Sequence, residues 1–285
     1  MLPQFILWNP DINAFSLGSF GIRWYSLCWG VGLLLAYLIV LKLYRRQHIP
    51  QEKFDPLLLY CFVGVLIGAR LGHCLLYDPG YFLTHPVEML LPVRHTSDGW
   101  RCTGYQGLAS HGGAAGLIIA LWLYVRRTHV NLMRVLDNIA LAAPFTGCCI
   151  RLGNLMNSEI VGMPTSMPWG FIFAANGETF ARHPAQLYEA IAYLIIGLVG
   201  IMLYLRLPHK IATGYFFGYC LTTIFAFRFG VEFLKDVQEP WELSLRAATG
   251  LDEGQLLSIP FVLIGIYCWA GGKFCKKLGE NAAKP

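Results

Sequence analysis

The chain has 285 residues, of which 55% are hydrophobic and only 14% charged, with a mean hydropathy of +0.49. That balance excludes a water-solvated globule of this length and makes a bilayer the natural solvent. The formal charge of +5 rests on basic residues scattered between apolar runs, not on one stripe, which points to membrane orientation and away from nucleic acid as a partner.

From the N-terminus, nothing before Arg23 is basic, so the start lacks the positive region of a cleavable secretory signal and the first apolar run is expected to insert and stay. Runs close to the ~20 residues needed to cross a bilayer occur at 24–41, 57–76, 108–125, 135–150, 187–205, 215–234 and 256–269. They predict about seven spans, with the fourth and seventh short enough to be tilted, buried or re-entrant. Lys42, Arg45, Arg46 and Lys53 follow the first run, and Arg126, Arg127 and Arg134 the third. Arg206 and Lys210 follow the fifth, while Lys273, Lys276, Lys277 and Lys284 end the chain. Those segments are expected in the cytoplasm. The stretch after the sixth run carries Asp236, Glu239, Glu242, Asp252 and Glu253 against Lys235 and Arg246, and is expected outside together with the N-terminus.

Segments 77–105 and 154–186 are long enough to fold over the helices, and no repeat or linker divides the chain. The predicted architecture is an all-α, polytopic transmembrane helix bundle in a single membrane domain, 1–285. The nine cysteines lie mostly in apolar runs without paired metal-ligand spacing and read as small core hydrophobes. The eight histidines lack HExxH or similar spacing. Neither a metal nor a cofactor is expected.

Threading the chain through this topology brings polar groups to one outward-facing depth. Tyr25 starts the first span, Arg70 and His73 lie in the outer half of the second, and His111 sits just inside the third. Arg151 ends the fourth span, Gln186 and Glu189 open the fifth, and the sixth runs outward past Arg228 and Glu232. An arginine costs about 2.5–3.5 kcal/mol at the bilayer centre and less near the interface, so Arg70 and Arg228 need partners or a wet cavity. Arg228 and Glu232 are four residues apart on one helix and so placed that they could pair directly. Such pairs can also serve only to join helices or to snorkel to the headgroups; convergence from several spans weighs towards a site. His111 stands beside Gly112 and Gly113, expected to open space around an imidazole, a group suited to proton transfer near neutral pH. Arg151 introduces a polar stretch with Gly153, Asn154, Asn157, Ser158 and Glu159, which reads either as a capped helix end or as a grip for a phosphodiester at headgroup depth.

The pieces Arg23-Trp-Tyr25, Gly68-Ala-Arg70-Leu-Gly72, Ser110-His-Gly-Gly113, Arg151-Leu-Gly-Asn154 through Asn157, Glu159 and Gly162, Arg182-His-Pro-Ala-Gln-Leu-Tyr-Glu189, and Arg228 through Val231-Glu232-Phe233 are recognisable together. In them the chain resembles the prolipoprotein diacylglyceryl transferase family, in the family's order and over most of its length. The resemblance implies a bacterial inner-membrane enzyme, N-terminus periplasmic and C-terminus cytoplasmic. It would move the diacylglyceryl group of phosphatidylglycerol onto the thiol of a lipobox cysteine in a prolipoprotein, forming a thioether and releasing glycerol phosphate. By motif, Tyr25, His111, Arg151, Asn154, Gly162, Arg228 and Glu232 match the family's functional positions. The expected catalytic set is His111, Arg151 and Arg228. The expected substrate-binding set is Tyr25, Arg70, Asn154, Asn157, Glu159, Gly162, Gln186, Glu189 and Glu232. The chain departs from the family pattern at Ile224, where tyrosine is common, and at Ile150, where glycine is.

Cleavage at the glycerol carbon leaves a phosphate monoester, so negative charge grows on phosphate and fixed cations there accelerate the step. That work falls to Arg151 and Arg228, with Asn154 orienting. A cysteine thiol, with its ordinary pKa of about 8.5, needs a base to supply thiolate at neutral pH, and His111 is the candidate. The expected partners are phosphatidylglycerol, lipobox peptides and membrane lipids. The alternative is a membrane transporter of an organic anion, for which outer-half arginines would form a midway site. An inverted repeat would favour it, and none is visible.

Overall fold

The computed structural model describes residues 5–17, 20–91, 93–96, 99–102, 107–236 and 240–280. The chain divides into two compact units, one of Met1–Leu43 with Met133–Lys284, the other Tyr44–Leu132. The helices in chain order are α1 (Trp24–Arg46), α2 (Gln51–Leu76), α3 (Pro79–Phe82), α4 (Pro86–Leu90), α5 (Ser110–Thr128), α6 (Leu132–Met156), α7 (Ala185–Arg206), α8 (Tyr215–Glu232), α9 (Pro240–Thr249), α10 (Glu253–Trp269) and α11 (Lys273–Glu280). The strands are β1 (Ile6–Trp8), β2 (Asn13–Leu17), β3 (Phe20–Arg23), β4 (Val93–Thr96), β5 (Gly99–Cys102) and β6 (Phe171–Phe173). Glu239 and Lys284, used above as topology signals, lie outside the described residues, as do 92, 97–98 and 103–106 of the predicted 77–105 segment.

All seven apolar runs are helical, and α1, α2, α6 and α7 are long and apolar enough to cross a membrane, with α10 a shorter apolar helix. Burial is inverted for water and right for lipid. Leu34, Leu59, Phe62, Ile118, Ile195 and Leu198 are each more than half exposed on helix faces, while Tyr44, Tyr124, Tyr204 and Gln186 are wholly buried. The chain is a helical membrane protein.

The fourth run is not short. α6 has 25 residues and extends past both ends of the run, through Arg134 at its start and through Arg151 and Asn154 near its end. Hydropathy alone truncated it, because those side chains lower the running average without breaking the helix. Asp137 is 0% exposed and accepts hydrogen bonds from the backbone N–H of Gly214 (3.2 Å) and Phe217 (2.9 Å). The orphan donors at the start of α8 are thus capped by a carboxylate from α6, which joins the two helices at that end.

In the first unit α8 packs on α10 through small residues: a Cβ on Gly218 would lie 2.3 Å from the Trp269 backbone nitrogen. The 157–184 segment folds against the helix ends. β1 pairs in parallel with β6, and the Trp8 indole donates to the Leu155 carbonyl at 2.9 Å. Leu155, Phe171 and Phe173 form a buried cluster there with Trp8, Val161 and Leu187. The antiparallel pair β2–β3 leads directly into α1.

In the second unit α2 lies on α5 along Gly64, Gly68 and Gly72 facing Gly112, Gly116 and Ala120; a Cβ on Gly68 would meet the Gly112 carbonyl oxygen at 2.3 Å. This corrects the expectation for Gly112: its missing side chain serves backbone-to-backbone packing with α2, not access to the imidazole beside it.

Candidate active site

The first unit encloses a pocket of about 400 Å³ walled by α1, α6, α7 and α8. α6 contributes Pro144, Gly147, Arg151 and Asn154, whose spacing places them on one helix face. Gly147 and Gly153 let aromatic rings come close: a Cβ on Gly147 would be 3.1 Å from the Tyr193 ring, and one on Gly153 2.9 Å from the Tyr25 ring. Tyr25 enters from α1, Tyr193 from α7, and Ile224 and Arg228, one turn apart, from α8. Both departures from the family pattern, Ile150 and Ile224, line this pocket and make that part of its wall apolar.

Arg151 is held from two sides. Its Nε lies 3.0 Å from Glu189 Oε2, out of hydrogen-bond alignment, and its Nη1 donates to Asn154 Oδ1 at 3.3 Å. Glu189, 0% exposed, also accepts from the Tyr193 hydroxyl (3.1 Å) and from Lys235 Nζ (3.5 Å). A carboxylate so enclosed requires such partners, since desolvation of an unpaired charge costs several kcal/mol. Asn154 passes the contact on, donating to Glu159 Oε2 at 3.4 Å; Asn157 donates to Glu159 Oε1, and the buried Gln186 donates to the Glu159 carbonyl. These bonds brace a turn in which Ser158 (φ +55°) and Ile160 (φ +56°) are left-handed. That conformation costs a β-branched residue about 1–3 kcal/mol, and Ile160 lines the pocket.

Of the two options open to Arg228, a partner or a cavity, it takes the cavity. It is half-buried and has no hydrogen bond or ion pair among the described residues. Glu232 does not pair with it and instead binds Lys235, at 3.1 Å. The helix-spacing rule made Arg228 the nearest cation, but the chain turns after α8 and brings Lys235 back onto the carboxylate. Lys235 and Tyr193 are the residues that sequence reasoning missed.

Gly162 is a crossing point. Its N–H donates to the His183 carbonyl (2.9 Å), and a Cβ would lie 2.6 Å from His183 Cβ and 2.7 Å from the Leu234 carbonyl oxygen. Any side chain would part the two strands flanking it. Arg182 tightens the same crossing, donating to the Gly162 carbonyl (3.1 Å), Asp236 Oδ2 (2.6 Å) and Glu178 Oε1 (2.8 Å). Burial holds the His183 imidazole below the usual histidine range, and its Nδ1 lies 3.1 Å from the Tyr188 hydroxyl.

Arg70 and His111 belong to the second unit. Arg70 is 8% exposed and spends its donors on the carbonyls of Met89 (3.1 Å), Glu88 (2.6 Å) and Gly107 (3.4 Å), with Phe82 under its guanidinium at 4.8 Å. It ties the segment after α2 to that helix. His111 is exposed in the first turn of α5, at the edge of an apolar groove of about 770 Å³ between α2 and α5.

The first-unit pocket combines a guanidinium oriented by Glu189 and Asn154, a second guanidinium without a described counter-ion, and two phenols, against an apolar wall. Fold and site together define a helical membrane protein with a pocket suited to an anionic amphiphile. The sequence profile of prolipoprotein diacylglyceryl transferase matches residues 12–270. Among curated relatives, the phosphatidylglycerol--prolipoprotein diacylglyceryl transferase of Bacteroides fragilis is 56% identical over 263 residues, 92% of this chain and 93% of that one. The enzyme of the same name from Porphyromonas gingivalis is 44% identical over 277 residues, covering 93% and 94%, and that of Tolumonas auensis 41% over 262, covering 92% and 95%. The chain belongs to the prolipoprotein diacylglyceryl transferase family.

Proposed function

We propose that this protein transfers the diacylglyceryl group of phosphatidylglycerol to the lipobox cysteine of prolipoproteins. The observation that carries the reading is the pocket lined by Arg151, Arg228, Asn154 and Tyr25, in which Arg151 is held by Glu189 and Arg228 has no ion pair among the described residues. Two guanidinium groups lining one pocket suit one phosphodiester. The transporter alternative gains no support from the relatives, whose names are those of a transferase.

In the reaction the cysteine sulfur attacks the glycerol carbon next to the phosphate, a C–S bond forms, and the C–O bond breaks with its electron pair remaining on the phosphate oxygen. The products are the thioether and glycerol phosphate, and the thiol proton passes to a base. Arg151 and Arg228 stabilise the charge that grows on the phosphate, and Asn154 fixes the Arg151 fork. Glu189 and Tyr193 hold Arg151 from behind; Glu159, Asn157 and Gln186 hold the turn under Asn154. Gly162 allows the crossing that carries Lys235, and Arg70 anchors the segment after α2. The base is assigned to His111 by family resemblance. This reading treats 1–285 as one catalytic domain of the bacterial inner membrane, N-terminus periplasmic, C-terminus cytoplasmic.

The test is purified protein in detergent with phosphatidylglycerol and a synthetic lipobox peptide. Peptide mass should rise by one diacylglyceryl group with equimolar glycerol phosphate, and His111→Gln should lower turnover by roughly a hundredfold. No lipidation by folded wild type would refute the function; near-normal turnover by the variant would refute the assigned base.

A further inference from the structure

Lys235 lies just beyond the sequence pieces that carry the resemblance, yet it is 6% exposed and joins two carboxylates of the site: Nζ lies 3.1 Å from Glu232 Oε2 and 3.5 Å from Glu189 Oε1. Its backbone is fixed independently of those contacts. The residue pairs with Gly162 in an isolated bridge, flanked by Met163 N–H donating to the Leu234 carbonyl (2.8 Å) and Asp236 N–H to the Val161 carbonyl (3.3 Å). The ammonium is therefore delivered to the carboxylates by the crossing at Gly162.

Glu189 is shared: Oε1 receives Tyr193 and Lys235, while Oε2 faces Arg151. With Lys235 present, neither arginine has a carboxylate to itself, and Arg228 has none among the described residues. Without it, Glu232 would have no ion pair among the described residues. Glu232, freed of its partner and four residues beyond Arg228 on the same helix, would then compete for the Arg228 guanidinium.

We propose that Lys235 is a positioning residue for the lipid phosphate, occupying Glu232 and sharing Glu189 so that Arg151 and Arg228 stay turned to the pocket. The proposal rests on the transferase reading above. It makes the need for Lys235 one of charge and predicts that its loss is felt by the anionic lipid and not by the peptide.

The experiment compares wild type, Lys235→Gln and Lys235→Arg in steady-state transfer, varying phosphatidylglycerol and lipobox peptide separately and normalising to folded protein. Lys235→Gln should raise the KM for phosphatidylglycerol by about tenfold or more, leave the KM for peptide within about twofold, and raise the inhibition constant of added glycerol phosphate in parallel. Lys235→Arg should keep all three within about threefold. Equal rises for both substrates, or wild-type values in Lys235→Gln, would overturn the proposal. If Lys235→Gln does not accumulate folded, Lys235→Arg decides alone, and a tenfold rise for the lipid in that variant overturns it. An inactive folded wild type would instead sink the transferase reading, so the two failures are distinguishable.

Discussion

Arg151 and Arg228 line one pocket but differ in what holds them. Arg151 sits against a carboxylate with no exposure to solvent, whereas Arg228 has no ion pair among the described residues. Removing the first leaves a buried charge short of a partner; removing the second orphans nothing. Arg151→Gln should therefore lower stability by about 3 kcal/mol as well as abolish transfer. Arg228→Gln should abolish transfer at a stability cost below about 1 kcal/mol. Denaturant unfolding in micelles alongside the activity assay checks both, and a large stability loss in Arg228→Gln would mean that it braces the fold. At this scale the sequence was partly legible. Arginine, asparagine and tyrosine in apolar runs are conspicuous because a bilayer makes them expensive, so Tyr25, Arg151, Asn154 and Arg228 were found. Lys235 was not, because a lysine in an acidic outer segment looks solvated until the crossing at Gly162 is known. Pairing was also illegible: Glu189 meets Arg151 across 38 residues of chain, while the local rule allowed a contact between Arg228 and Glu232, whose carboxylate Lys235 takes instead.

The elements follow from hydropathy wherever the apolar run is unbroken, and α1, α2 and α7 lie close to their predicted positions. The rule fell short at the C-terminal end of α6, where Arg151 and Asn154 belong to the helix and take partners beyond it, Glu189 and Glu159. The strands were not foreseen: β1 and β6 have three residues each and pair across more than 160 positions, too short for a two-residue alternation to register. Asp137 gives the most direct test of how α6 and α8 are set. Asp137→Ala would leave the N–H groups of Gly214 and Phe217 without their acceptor, costing about 2 kcal/mol, and Asp137→Asn, which keeps an acceptor oxygen, should recover much of it. Thermal unfolding of the two variants measures this, and equal losses would show that charge rather than capping matters there.

For the whole molecule, composition alone identified the solvent, and the exposed aliphatic faces of the long helices bear that out. Orientation is read from the basic segments alone: a reporter fused after Pro285 should be cytoplasmic and one inserted near Glu242 external, whereas the opposite pattern would put the pocket on the wrong side for the proposed substrates. The central claim is that Arg151 and Arg228 together grip the lipid phosphate with planar, multiply donating guanidinium groups. Lysine at either position keeps the charge and loses the fork. The deciding measurement is lipidation of a lipobox peptide per folded molecule by Arg151→Lys and Arg228→Lys. A two-arginine clamp predicts that each falls by about a hundredfold or more while remaining inserted and folded. Near-wild-type specific activity in both variants would contradict the clamp, leaving the arginines as ordinary charges that any cation could replace.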